Sequence, residues 1–150
     1  MKKAVLFCYS VHHGNTRKVA DALAERLPVR VVGVPVREEV NLSEYELVGF
    51  ASGIYMSAFG KPVDALIDSL PGLEGKRCFT LYTCGATGGN FDGAVRARLT
   101  ARGAVDAGGW HCRGFDTFGP FKLIGGIAKG HPDEKDLESA AAFVRPLLED

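Results

Sequence analysis

Apolar residues come in short runs separated by polar, glycine-rich stretches, and the runs follow two different rhythms. Ala4-Val5-Leu6-Phe7-Cys8 is continuous rather than alternating, as expected of a strand covered on both faces. After Thr16 the period changes, and Val19, Ala20, Leu23, Ala24 and Leu27 recur at helical spacing. The alternation continues to the end of the chain. It predicts strands over 4–8, 29–34, 47–52, 78–83 and 110–115, and helices over 15–27, 62–70, 91–101 and 133–148. Pro62 suits a first helical turn, with Val63, Leu66, Ile67 and Leu70 as the inner stripe, whereas Pro146 is expected to distort or end the last helix early. The polar link 35–46 is expected to hold an irregular turn. Strands and helices alternating over short links predict an α/β fold with a doubly wound parallel sheet.

Ligands of such sheets bind outside the carboxyl ends of the strands, where strand order reverses. Three predicted strand ends are rich in small and polar residues. They are Ser10-Val11-His12-His13-Gly14-Asn15-Thr16, then Ser52-Gly53-Ile54-Tyr55-Met56-Ser57, then Thr83-Cys84-Gly85-Ala86-Thr87-Gly88-Gly89-Asn90. The first opens a helix, so it offers backbone N–H groups at the positive end of a helix dipole beside hydroxyl, imidazole and amide side chains. That is a phosphate site in physical terms. One strand–loop–helix unit of this kind suits a mononucleotide, and the other two loops can clamp a flat ring with backbone amides.

Composition narrows the class. The 150 residues suffice for one well-packed domain and are too few for two ordinary ones. With 46% apolar and 24% charged residues, and apolar runs far shorter than a bilayer span, a soluble globular protein without signal peptide is expected, in the cytoplasm. The 18 basic residues balance the 18 acidic ones, so no long-range field favours nucleic acid. Cys8, Cys78, Cys84 and Cys112 show no CxxC spacing and read as free thiols. Cys8 before a phosphate-like loop invites comparison with Cys-x5-Arg phosphatases. Its sixth successor, however, is Gly14, and Arg17 comes too late. A receiver domain would need acidic residues where Cys8-Tyr9-Ser10 stand.

Through these three loops and their strand–helix context, the chain resembles the short-chain flavodoxin family over essentially its whole length. The family's phosphate loop, a hydroxyl residue followed by small residues and Gly-x-Thr, stands here as Ser10 to Thr16, one residue longer. The resemblance implies five parallel strands in the order 2-1-3-4-5 and FMN as cofactor. Ser10, Val11, His12, His13, Gly14, Asn15 and Thr16 would surround its phosphate. Its ring would lie between Ser52, Gly53, Ile54, Tyr55, Met56 and Thr83, Cys84, Gly85, Ala86, Gly88, Gly89, Asn90. It also implies electron transfer with redox partner proteins, by a monomer or homodimer. Two departures stand out. No aromatic or acidic residue lies between Thr83 and Asn90, and net charge is zero rather than strongly negative.

A small FMN-dependent oxidoreductase, such as a quinone reductase or a protoporphyrinogen-oxidising enzyme, is the alternative. A non-redox interaction module is a third reading, opposed by Gly14-Asn15-Thr16. No catalytic set or metal site emerges from spacing. His12 and His13 suit a phosphate or loop-packing role, His111 a structural role inside a strand, His131 a turn or cap before the last helix, and Lys61 a solvated helix start. The segment 116–131 holds Phe118, Phe121, Leu123, Ile124 and Ile127, which suit a fold-back over the core, a ring cover or a docking surface.

Overall fold

A computed structural model describes residues 1–11, 14–85, 90–114 and 130–149. Strands β1 (Ala4–Tyr9), β2 (Val29–Gly33), β3 (Leu47–Tyr55), β5 (Arg77–Cys84) and β6 (Val105–Arg113) form a parallel sheet in the order β2-β1-β3-β5-β6. These are the five strands expected from the apolar runs, in the expected spatial order. A two-residue strand, β4 (Ala58–Phe59), adds to the end of β3 as an antiparallel hairpin. Its turn holds Met56 and Ser57, both at positive φ, where no Asn-Gly signal announced a hairpin.

Side chains of a strand alternate between faces, and here both faces are covered. Leu6, Leu47, Ala51, Phe79 and Leu81 pack under α1 (Asn15–Arg26) and α4 (Glu134–Glu149). Phe7, Val48, Phe50, Cys78 and Tyr82 pack under α2 (Lys61–Ser69) and α3 (Gly93–Ala101). Continuous apolar runs are the consequence. Gly49, mid-β3, is required by this packing: a Cβ there would lie 2.3 Å from the Phe79 ring and 2.7 Å from Leu6. The link after β2 carries a short 3-10 turn at Leu42–Glu44, capped by the Asn41 side chain.

Three boundaries differ from the sequence expectation. β6 begins at Val105, earlier than 110, because Ala107, Gly108 and Gly109 obscure the apolar pattern. α3 begins at Gly93, with Asp92 at its cap position. α4 is not ended by Pro146 but continues to Glu149. Pro146 and Ala142, whose carbonyl loses its helical N–H partner, are both exposed, so that carbonyl is not forced into the apolar core. All four cysteines are free thiols. Among the described residues no helix is long and apolar enough to cross a membrane.

Candidate functional site

The carboxyl ends of β1, β3, β5 and β6 converge on the first turn of α1. Gly14 takes a left-handed conformation (φ 65°), which turns the chain from β1 into the helix. Ser10 accepts a hydrogen bond at Oγ from the Arg17 N–H (3.2 Å), a capping contact delivered from outside the helix. Thr16 is buried and shares a 2.8 Å hydrogen bond, Oγ1 to Oγ1, with Thr83 at the end of β5. The loop after β1 and the end of β5 are thereby fixed to one another across β3. Asn15 lies against Gly114, just past β6, where a Cβ would come within 2.6 Å of its Nδ2.

The end of β3 supplies the next wall. Ser52 points inward: its hydroxyl accepts from Gly60 N–H (3.0 Å) and donates to the Gly53 carbonyl (2.6 Å), so it locks the β3–β4 hairpin. Tyr55 reaches back over Gly53, and its hydroxyl accepts from Val11 N–H at 3.3 Å, joining the first two loops. Its ring meets Tyr9 edge-on at 5.6 Å. Gly60 leaves room for Tyr9, since a Cβ would stand 2.3 Å from that ring. Ile54 is half-buried, whereas Met56 (84% exposed) and Val11 (65%) stand out as apolar groups on the rim.

Beyond β5, Gly85 is held by a residue no sequence pattern singled out. Arg113, at the end of β6, donates from Nε (3.2 Å) and Nη2 (3.0 Å) to the Gly85 carbonyl. Gly114 N–H adds a bond to the Cys84 carbonyl (3.0 Å). Asp92 anchors the far end of the same loop. It is 5% exposed, accepts from Thr80 Oγ1 at 2.7 Å, and lies 3.7 Å from Arg96. A capping-type Asp ahead of the α3 pattern was the available signal for it. Cys84 is half-buried and Asn90 exposed. His12, His13, Ala86, Thr87, Gly88, Gly89 and the segment 115–129, which includes most of the apolar link, lie outside the described residues.

Burial pushes the Cys8 thiol up to about 12, which disfavours a thiolate at the end of β1. His111 is exposed, stacked on buried Tyr82 at 4.7 Å rather than satisfied in a core. His131 takes the turn role expected of it. Its Nδ1 lies 2.7 Å from Asp136, which with Asp133 forms a reciprocal cap at the start of α4.

A family profile described as the flavodoxin domain matches residues 6–106. This chain belongs to the flavodoxin domain family. It is 32% identical over 148 residues to the "Uncharacterized protein MJ0298" of Methanocaldococcus jannaschii, covering 97% of this chain and 98% of that one. Solved structures share the fold at lower identity. A flavodoxin from the domain Archaea superposes with TM-score 0.70 at 16% identity, over 97% of this chain and 96% of that one. For the Megasphaera elsdenii flavodoxin, in its two-electron reduced form, the values are 0.58 and 20%, over 92% and 98%. A Lactobacillus acidophilus flavoprotein in complex with FMN gives 0.60 and 14%, over 74% and 93%. In this flavodoxin domain the carboxyl ends of β1, β3 and β5 lie side by side, as the strand order requires.

Proposed function

We propose that this flavodoxin domain binds FMN without a covalent link and transfers electrons between redox partner proteins. The observation that carries the reading is the Thr16–Thr83 hydrogen bond. It joins a helix start suited to phosphate with a strand end suited to a ring. The residues present fit the group. Gly14, Asn15 and the Ser10 hydroxyl gather at the positive end of α1, where a phosphate dianion is favoured. Gly53 and Gly114 make room for the Tyr55 hydroxyl and the Asn15 amide, which would lie 2.9 Å and 2.6 Å from a Cβ there, so both side chains are held close to the strand ends. Tyr55, poised between two loops, would line one side of the ring. Arg113, by bracing Gly85, would fix the facing loop. The flavin supplies the redox chemistry when bound, and the protein supplies position and field.

The test compares FMN with riboflavin, which lacks the phosphate. Asn15→Ala with Thr16→Val removes groups at the phosphate loop. Hydrogen bonds to a charged group contribute about 1.5–3 kcal/mol each, so FMN binding weakens by roughly tens- to thousand-fold. Riboflavin binding changes little by comparison. Equal losses for both ligands would place the phosphate elsewhere. The exposed Met56 and Val11 favour one second reading, a small oxidoreductase for a flat apolar substrate such as a quinone. Steady-state consumption of NAD(P)H with quinones separates the two, since a carrier turns over only with its partners.

A further inference from the structure

A concavity of about 510 Å³ opens at the carboxyl ends of β1 and β2, against the first turn of α1 and the link after β2. The sheet order puts it on the far side of β1 from β3 and β5, whose ends the flavin reading uses. We propose that this groove is a second binding site, for a small amphipathic anion: a flat apolar body carrying one phosphate or carboxylate. Its occupancy is independent of whether the neighbouring loops hold a flavin. Ser10, which the flavin reading already employs, only borders it.

The walls suit the apolar body. Val31 and Val34 each pack one flank on the core, stay half-buried, and line the groove together with exposed Pro35. Gly33 leaves the space beside them open, since a Cβ there meets nothing within 4 Å. The volume falls within the roughly 300–1,000 Å³ of ordinary small-molecule sites. A ring system seated against these side chains removes apolar surface from water on both partners.

The charges suit the anion. Arg37 is exposed and makes no hydrogen bond or ion pair with a described residue, so its whole guanidinium fork is available to a ligand. Arg17 gives its Nε to Asp21 at 2.9 Å, and its terminal nitrogens have no partner among the described residues. It stands in the first turn of α1, whose positive end favours the same sign of ligand. Glu38 is the acid of the lining, and Arg30 already engages it at 3.2 Å. Two guanidiniums therefore face one compensated carboxylate. Planar donors of this kind match phosphate and carboxylate oxygens.

The test is calorimetric titration with 1-naphthyl phosphate, 1-naphthoate and uncharged 1-naphthol, without added flavin and with saturating FMN. Both anions should bind, and naphthol at least about ten-fold more weakly. The tighter of the two anions identifies the preferred headgroup. Inorganic phosphate alone should also bind more weakly than naphthyl phosphate, because it leaves the apolar wall unused. Arg37→Ala, an exposed position outside the core, should weaken both anions by about ten-fold or more, whereas Arg145→Ala at the far end of α4 leaves them within about two-fold. Gly33→Leu, which fills the open space, should abolish binding with the fold intact. Naphthol binding as tightly as the anions, or anion binding indifferent to Arg37 or to Gly33→Leu, would overturn the proposal. Displacement of the probes by FMN would overturn it too, by assigning them to the flavin site, as would the absence of any binding at millimolar probe.

Discussion

Thr16 and Thr83 stand 67 positions apart, and each is the other's buried hydroxyl partner at 2.8 Å. Replacing one alone with valine strands the other in an apolar setting, at about 1–3 kcal/mol, whereas replacing both is nearly neutral. Urea unfolding of Thr16→Val, Thr83→Val and the double variant forms the cycle. Additive losses would mean that the two hydroxyls do not interact. Gly60 makes the same kind of demand on space. Gly60→Ala puts a methyl 2.3 Å from the Tyr9 ring and should cost about 1–3 kcal/mol while dislodging Tyr55. Unchanged stability and unchanged tyrosine fluorescence would contradict that geometry. Side chains of this kind were only partly legible in the sequence. Ser10, Asn15 and Thr16 stand out because their neighbours in the chain define the loop. Ser52 stands in the loop expected beside the ring, and its hydroxyl bonds Gly60 and Gly53, a local choice that residue type does not reveal. Arg113 carried no signal, because its role depends on the pairing of β6 with β5.

Helix α4 shows how an element end combines capping with titration. Asp133 Oδ1 accepts from Asp136 N–H (3.0 Å), and Asp136 Oδ2 accepts from Asp133 N–H (2.8 Å). The Asp136 N–H, helped by His131, holds the Asp133 carboxyl below its usual range. The folded state therefore prefers the charged form. Its stabilising effect is present above the ordinary carboxylate value and is lost as pH falls through the lowered one. Asp133→Ala should lower the melting temperature near neutral pH and flatten the acid side of the pH–stability curve. An acid limb identical to that of the wild type would sink this assignment. Elements themselves were the legible part of the fold. Each parallel strand is a run apolar on both faces, and α1, α2 and α4 carry clear inner stripes. The exceptions have physical causes. The glycines of β6 mute its pattern, Pro146 is tolerated at an exposed last turn, and β4 is too short to have one.

For the whole molecule, the distribution of charge decides what the flavin site can do. Net charge is zero. Among the acids whose position bears on the ring, Glu44 belongs to the turn before β3, at the amino side of the sheet. Asp92 is buried in a hydrogen bond from Thr80 beside Arg96. Arg113, by contrast, sits at the carboxyl side on the loop after β5. A unit charge at about 10 Å in an effective dielectric of about 20 contributes roughly 1.7 kcal/mol, or about 70 mV for a one-electron step. With flavin bound as proposed, its anionic reduced form is expected to be less disfavoured than beside the acidic surroundings of a strongly negative flavodoxin. Arg113→Gln should lower the second one-electron potential by tens of millivolts, a shift absent if the guanidinium is remote from the ring.

The direct test of an FMN-bound electron carrier is a potentiometric titration of the flavin-loaded protein at low and high salt. Two separated one-electron steps are expected, with a second step less negative than that of an acidic flavodoxin and only weakly dependent on salt. A single two-electron step, or a second step as negative as in an acidic flavodoxin and strongly salt-dependent, would contradict it.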